Sequence, residues 1–338
     1  MRAGIMIRGR GLRIMPLALE VALICWFCVV GVQAARKRDA RLVQLLLVSV
    51  VCVAGVGCVG VALSVAARHT AKFDLWLYTA DRALGSPSFA VAGRIRPTVW
   101  YPVLVAVYEA MPMAMLGTYA AHLLTGGNPQ RVLGAFALNF AAGYAVYLVF
   151  PACGPEYAFS GFPAVPSATP ALHALDLLAP PNCMPSLHTS TAVLACWYCR
   201  RWRMASGCAL ANLALTVLAT LATGEHYAVD LVAAAPFAAF VYRAARGEYR
   251  PAIAWLGAVL AWCGVLRFGL PWIAAAPALF GTVCILIVAA AWIDATDAGR
   301  AGGWMRASLA GGPLDAARRT EVRRGKLKLA PQQREITR

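Results

Sequence analysis

Asn182-Cys183-Met184-Pro185-Ser186-Leu187-His188 is answered further along the chain by Thr223-Gly224-Glu225-His226-Tyr227-Ala228-Val229-Asp230. Each stretch follows a polar or proline-rich break and opens a long apolar run, so each reads as the start of a transmembrane helix. Two histidines and an aspartate then meet one membrane face. With Pro185 in the first helical turn, where its missing N–H costs nothing, the amides of Ser186, Leu187 and His188 point outward as an anion site. His226 and Asp230 stand at i and i+4. On a helix that spacing lets the carboxylate hold one imidazole nitrogen and leaves the other as a nucleophile.

Composition places this pair of motifs in a membrane. The chain of 338 residues is 60% hydrophobic and only 14% charged, with a mean hydropathy of +0.64, which excludes a soluble domain with a solvated face. The net charge of +16 is concentrated at the ends and in short loops. That is a topology signal rather than the footprint of a nucleic-acid partner. From Asp294 onward, ten Lys or Arg outweigh five Asp or Glu, and this basic tail reads as a disordered cytoplasmic segment able to touch anionic lipid. Of the eleven cysteines, nine fall in or at the ends of apolar runs, where Cys is a small packing residue. Cys153 and Cys183 instead flank the loop before the first motif, and a disulfide between them is expected if that loop faces the periplasm.

Hydropathy gives about nine spans in an all-α bundle. The first is an uncleaved helix from Ile14 to Val32, followed by Leu42–Ala66, Val99–Leu124 and Arg131–Phe150. Next come Pro185–Cys199, Ala205–Thr223, a span carrying Asp230 toward Arg243, then Ala252–Leu270 and Trp272–Ile293. Between the second and third spans, the stretch around Phe73–Tyr78 has apolar residues at helical spacing and reads as a short helix in the membrane interface. Pro151 to Leu187 holds eight prolines and no Lys or Arg, a stiff external loop. Residues 1–66 are then N-terminal helices, 67–250 a catalytic membrane core, 251–293 added helices and 294–338 the tail. Basic clusters at Arg200, Arg201, Arg203, Arg243, Arg246 and Arg250 lie opposite the histidines. The positive-inside rule therefore points the histidine face outward, to the periplasm of a bacterial inner membrane.

Pro185-Ser186-Leu187-His188 and His226-Tyr227-Ala228-Val229-Asp230 resemble the second and third signatures of the type 2 phosphatidic acid phosphatase superfamily. Leucine before the first histidine, tyrosine after the second and the proline-rich loop look more like its inositolphosphotransferase branch, which includes fungal inositol phosphorylceramide synthase. The resemblance covers roughly Phe73 to Ala245 and implies a six-helix core without metal or other cofactor. It implies that His226 attacks phosphorus, Asp230 orients it, and His188 protonates the leaving oxygen. Ser186 and the helix-start amides would then hold phosphate oxygens, with Tyr227 beside the substrate. Substrates would be lipid-linked phosphate or phosphodiester, with a polyol or water as acceptor; lipid-phosphate hydrolysis and a non-enzymatic transporter or scaffold are the rivals. The first signature is only partial: Arg96-Pro97 is present, but Phe89 stands where a lysine is expected, and Thr220 replaces the arginine before the third signature. Arg94 and Arg96 are the candidates to balance phosphate charge.

Overall fold

The computed structural model describes residues 17–166 and 170–310, in which all regular secondary structure is helical. Helices α1 (Leu17–Lys37) and α2 (Ala40–Ala66) pack together, tied by Trp26 Nε1 donating to Ser49 Oγ at 3.0 Å. The short helices α3 (Asp74–Ala83) and α4 (Pro87–Ile95) precede α5 (Trp100–Glu109), α6 (Met111–Leu124) and α7 (Pro129–Val149). A single turn, α8 (Pro155–Ala158), interrupts the long loop before α9 (Leu187–Cys199), α10 (Arg203–Thr223) and α11 (Ala228–Ala244). The series ends with α12 (Tyr249–Phe268), α13 (Leu270–Ala275) and α14 (Pro277–Ala310).

Five of these helices are long and apolar enough to cross a bilayer: α2, α7, α10, α12 and Pro277–Asp297 of α14. A sixth is added if α5 and α6, bent by 54°, count as one broken span. This corrects the expectation of about nine spans and of a core of six among the described residues, and the differences at α5–α6, α9 and α11 have physical causes. The first expected span begins at Ile14, outside the described residues. The break between α5 and α6 falls at Pro112, which lacks the N–H that would bond the Tyr108 carbonyl and clashes with the preceding turn. Helices α9 and α11 have 13 and 17 residues, only ~20 and ~25 Å at 1.5 Å per residue, short of a ~30 Å hydrocarbon core. Their apolar character serves burial in protein instead. Every residue of α9 except His188 is buried, and the helix is enclosed by α6, α7, α10 and α11.

Polar side chains fix these packed helices. Asn139 on α7 donates to Thr191 Oγ1 at 3.1 Å and accepts from Ser190 Oγ at 2.9 Å, linking α7 to α9 where no water competes. Helix α12 lies along α11, with Trp262 Nε1 donating to the Val229 carbonyl at 3.1 Å.

Two further expectations change. The stretch at Phe73–Tyr78 is not an interfacial helix: Leu75, Leu77, Tyr78 and Ala80 of α3 are buried, as are Asp74 and Asp81. The Pro151–Leu187 loop is anchored through Lys72, whose backbone pairs with Leu175 and whose Nζ donates to the carbonyls of Ala67 and Leu177. Packing divides the chain into Met1–Ala291 and Trp292–Arg338. In the second unit the described part continues α14 to Ala310, and the basic segment beyond it lies outside the described residues.

Candidate active site

The turn that carries His226 is forced by the end of α10. Gly224 has φ +73°, and a Cβ there would meet the Phe162 ring at 2.5 Å. Gly154, at φ +92°, lies so close that its Cβ would be 2.3 Å from the Glu225 carbonyl oxygen. Only glycine gives both the left-handed backbone and the space.

Three buried groups from residues 74–88 then clasp the turn. Ser88 Oγ donates to the His226 carbonyl at 2.9 Å, and Tyr227 donates its hydroxyl to Asp74 Oδ1 at 3.1 Å. Asp81 Oδ1 accepts from the amides of Ala228 at 2.8 Å and Val229 at 3.4 Å, capping α11 from another helix. Asp74 also accepts from the Gly154 amide at 2.8 Å and the Cys153 amide at 3.0 Å, so one carboxylate joins the two loops. Burial pushes the Asp74 carboxyl up to about 6 against the pull of the Cys153 and Gly154 amides. Asp81 is pushed up to about 8, first by burial and then by the charge of Asp230.

His226 is 1% exposed, and its Nδ1 lies 2.8 Å from the Cys183 carbonyl oxygen. A carbonyl only accepts, so Nδ1 carries the proton and Nε2 keeps the lone pair. This is the tautomer a nucleophile needs, but it is set by a backbone carbonyl. Asp230 Oδ2 stands 3.7 Å from Nδ1, beyond hydrogen-bond distance. That oxygen accepts from the Tyr227 amide at 2.8 Å and from the Cys183 thiol, leaving Asp230 a through-space partner of the imidazole.

Across the gap, His188 occupies the first turn of α9, its ring centroid 6.3 Å from that of His226 and the planes at 63°. Tyr108 stacks on the His188 ring, centroids 3.7 Å apart and planes at 19°. The two motif histidines thus come together, with a tyrosine that hydropathy gave no reason to select.

The remaining expected site residues are placed differently. Pro185 precedes α9, and Ser186 is its N-cap, fully buried, accepting from the Thr189 amide at 3.3 Å and donating to Thr189 Oγ1 at 3.1 Å. The Ser186 amide turns toward the Asp230 carbonyl at 3.5 Å. Tyr227 is likewise fully buried, facing Asp74. Arg94 is exposed. Arg96 clamps the carboxyl end of α10, its Nε donating to Ala222 O at 3.0 Å and a terminal nitrogen to Thr223 O at 2.5 Å and Glu156 at 2.7 Å. Phe89 sits in an aromatic cluster with Tyr78, Phe159 and Phe162, and the hydroxyl of buried Thr220 bonds the Val217 carbonyl at 2.9 Å. Cys153 and Cys183 are free thiols rather than a bridge. Each points at a different carboxylate, Cys153 at Asp74 and Cys183 at Asp230.

Cys183, His226 and Asp230 also form the one cluster among the described residues with three side chains able to reach a common metal, their ligand atoms within 4.8 Å of one another. Metal binding there would require Nδ1 to give up its proton and its bond to the carbonyl.

A cavity of about 270 Å³ opens beside the histidines, lined by Tyr101, Tyr108, Glu109, Glu156, Tyr157 and Glu225 among others. Glu225 accepts from the Tyr157 hydroxyl at 3.0 Å. Burial pushes its carboxyl up to about 7, partly offset by that hydrogen bond and by His226.

Fold and site together define an all-α membrane protein with a facing imidazole pair, beside a turn that buried carboxylates hold. The chain belongs to the PAP2 superfamily, whose model matches residues 75–244, half of the chain. Membership brings the superfamily's general phosphotransferase or phosphatase chemistry at a membrane, with a lipid-associated substrate. No curated protein and no solved structure matches the chain.

Proposed function

We propose that the protein transfers a phosphoryl-linked group between alcohols in a membrane, through an adduct on His226, in the manner of the inositolphosphotransferase branch its motifs resemble. The observation that carries this reading is the facing pair of imidazoles 6.3 Å apart, with His226 Nδ1 held by the Cys183 carbonyl. Reacting atoms approach to roughly 3–3.5 Å, so a gap of this size suits one phosphorus between two rings.

In the first step, His226 Nε2 forms a bond to phosphorus, and the bond from phosphorus to the leaving alcohol oxygen breaks. That oxygen takes a proton from His188, whose protonated form burial and the neighbouring His226 disfavour until the phosphate anion is bound. In the second, an incoming hydroxyl gives its proton to His188 and bonds phosphorus as the P–N bond breaks. Positive charge on the adduct is stabilised by the Cys183 carbonyl and by Asp230 at 3.7 Å. The amino-terminal end of α9, with His188 in its first turn, directs its dipole at the phosphate. Basic residues at the far ends of α9, α10 and α11 favour the cytoplasmic side. They leave the site on the outer face, which is the periplasm if the host membrane is a bacterial inner membrane.

Purified protein incubated with labelled phospholipid, with and without an alcohol acceptor, tests the reading. Labelled product should move to the alcohol, and His226→Ala and His188→Ala should each abolish turnover without loss of folded protein. Release to water under every acceptor would make the protein a hydrolase; full activity of the His226 variant would refute the adduct.

A further inference from the structure

We infer that Tyr108 is the positioning residue of the proton-carrying histidine: its phenol face holds the His188 ring in the attitude from which a ring nitrogen meets the alcohol oxygen at phosphorus. The inference rests on the histidine reading for its chemistry, and on contacts of Tyr108 that stand without it.

The two histidines are held in different ways. His226 is fixed by a hydrogen bond, its Nδ1 to the Cys183 carbonyl at 2.8 Å. Neither ring nitrogen of His188 has a hydrogen-bond partner among the described residues. An imidazole without one turns among its rotamers unless packing selects a single orientation. The Tyr108 ring makes that selection, lying nearly parallel at 19° with centroids 3.7 Å apart. A carbonyl or carboxylate partner would occupy one nitrogen and settle the tautomer. A stacked ring fixes the plane and leaves both nitrogens able to change protonation, which suits a group that gives up a proton in one step and takes one back in the next.

Tyr108 is itself held in place. It is 8% exposed and packs in a cluster with Leu104 on its own helix and Ala219 and Ala222 on α10, with Val91 and Ile95 of α4 against the same cluster. Helix α5 ends one residue after it, so its ring stands at the elbow of the 54° bend that Pro112 imposes. Burial and the neighbouring His226 disfavour a protonated His188, and an aromatic face against the imidazolium offsets part of that cost.

Three variants test the assignment. Tyr108→Leu and Tyr108→Met fill the cluster without a ring, and Tyr108→Phe keeps the ring without its hydroxyl; either apolar variant that folds is sufficient. NMR of the full-length chain in detergent, labelled on histidine, reads the contact without turnover. The His188 ring protons, assigned by their loss in His188→Ala, should lie upfield in the parent and in Tyr108→Phe and move downfield in the apolar variants. In turnover of labelled phosphatidic acid and phosphatidylinositol, the apolar variants should lose about tenfold to a hundredfold in kcat with KM changed by less than about threefold, and Tyr108→Phe should recover most of the loss. With p-nitrophenyl phosphate, whose leaving group departs without a proton, the same variants should lose far less in kcat/KM. Unmoved His188 signals in a folded apolar variant, a loss carried in KM, equal losses on both kinds of substrate, or a Phe variant as slow as the apolar ones would overturn the assignment. A parent chain that turns over no substrate while the His188 signals behave as stated would instead sink the phosphoryl-transfer reading and leave the stack standing.

Discussion

Replacing Asp81 by Asn should stabilise the protein at neutral pH and flatten the dependence of its stability on pH. Asp81 Oδ1 caps α11 through two amides, while its Oδ2 is buried and unpartnered among the described residues. Its carboxyl is pushed from an ordinary value of 3.8 to about 8, by burial first and by Asp230 second. A carboxyl raised in the folded state binds its proton more readily there than in the unfolded chain. Its contribution to stability is therefore full below 3.8 and is lost as pH climbs toward 8. At about 1.4 kcal/mol per pH unit, the loss accumulated by pH 7 is roughly 4 kcal/mol. Asparagine keeps the capping oxygen and never ionises, so it escapes this loss. Thermal melts of both proteins in detergent from pH 4.5 to 8 are the assay. The curves should converge at the acid end and separate as pH rises, with the Asn variant higher and flatter. Asp74 and Glu225 slope the same way in both proteins and cancel in the difference. Parallel curves, or a variant that loses stability at every pH, would refute the reasoning.

Gly154→Ala should unfold the loop at the site, since the new Cβ would meet the Glu225 carbonyl at 2.3 Å in a left-handed backbone; a melt lowered by more than ~1 kcal/mol checks it. Arg96→Ala removes two hydrogen bonds and an ion pair at the end of α10, so stability should drop by about 1–3 kcal/mol, read as greater proteolysis near Thr223. Cys183→Ser should keep both turnover and stability, because the contact to His226 is a backbone carbonyl and a hydroxyl still donates to Asp230. Cys183→Ala leaves the Asp230 carboxylate short of a donor and should cost about 1–2 kcal/mol in the melt.

The histidine pair was legible because its signal is local: two short motifs, each opening an apolar run. The number of spans was not, because apolar runs look alike whether lipid or protein covers them. Helix α9 reads as a membrane crossing by hydropathy and is instead a short core helix enclosed by four others. Nothing in the sequence signals the roles of Asp74 and Asp81, since their partners Tyr227 and Ala228 lie 153 and 147 residues away. Spacing alone did not show how Asp230 meets His226. The i,i+4 rule places it beside His226, and its Oδ2 stands 3.7 Å from Nδ1, but residues 224–227 before α11 are not helical and the Cys183 carbonyl takes the ring nitrogen. Tyr227 and Ser186 sit inside the motifs but serve as a pin and a cap.

The clasp formed by Asp74, Asp81 and Ser88 means that the turn at His226 rests on a floor built from residues far from it in sequence. A chain trimmed between α2 and α5 would keep both histidine motifs letter for letter and would still lose the surface that holds His226, Tyr227 and Ala228 in register. In this architecture, possession of the motifs and possession of a working centre are separate properties, and the second is decided by some fifteen residues that contain neither histidine.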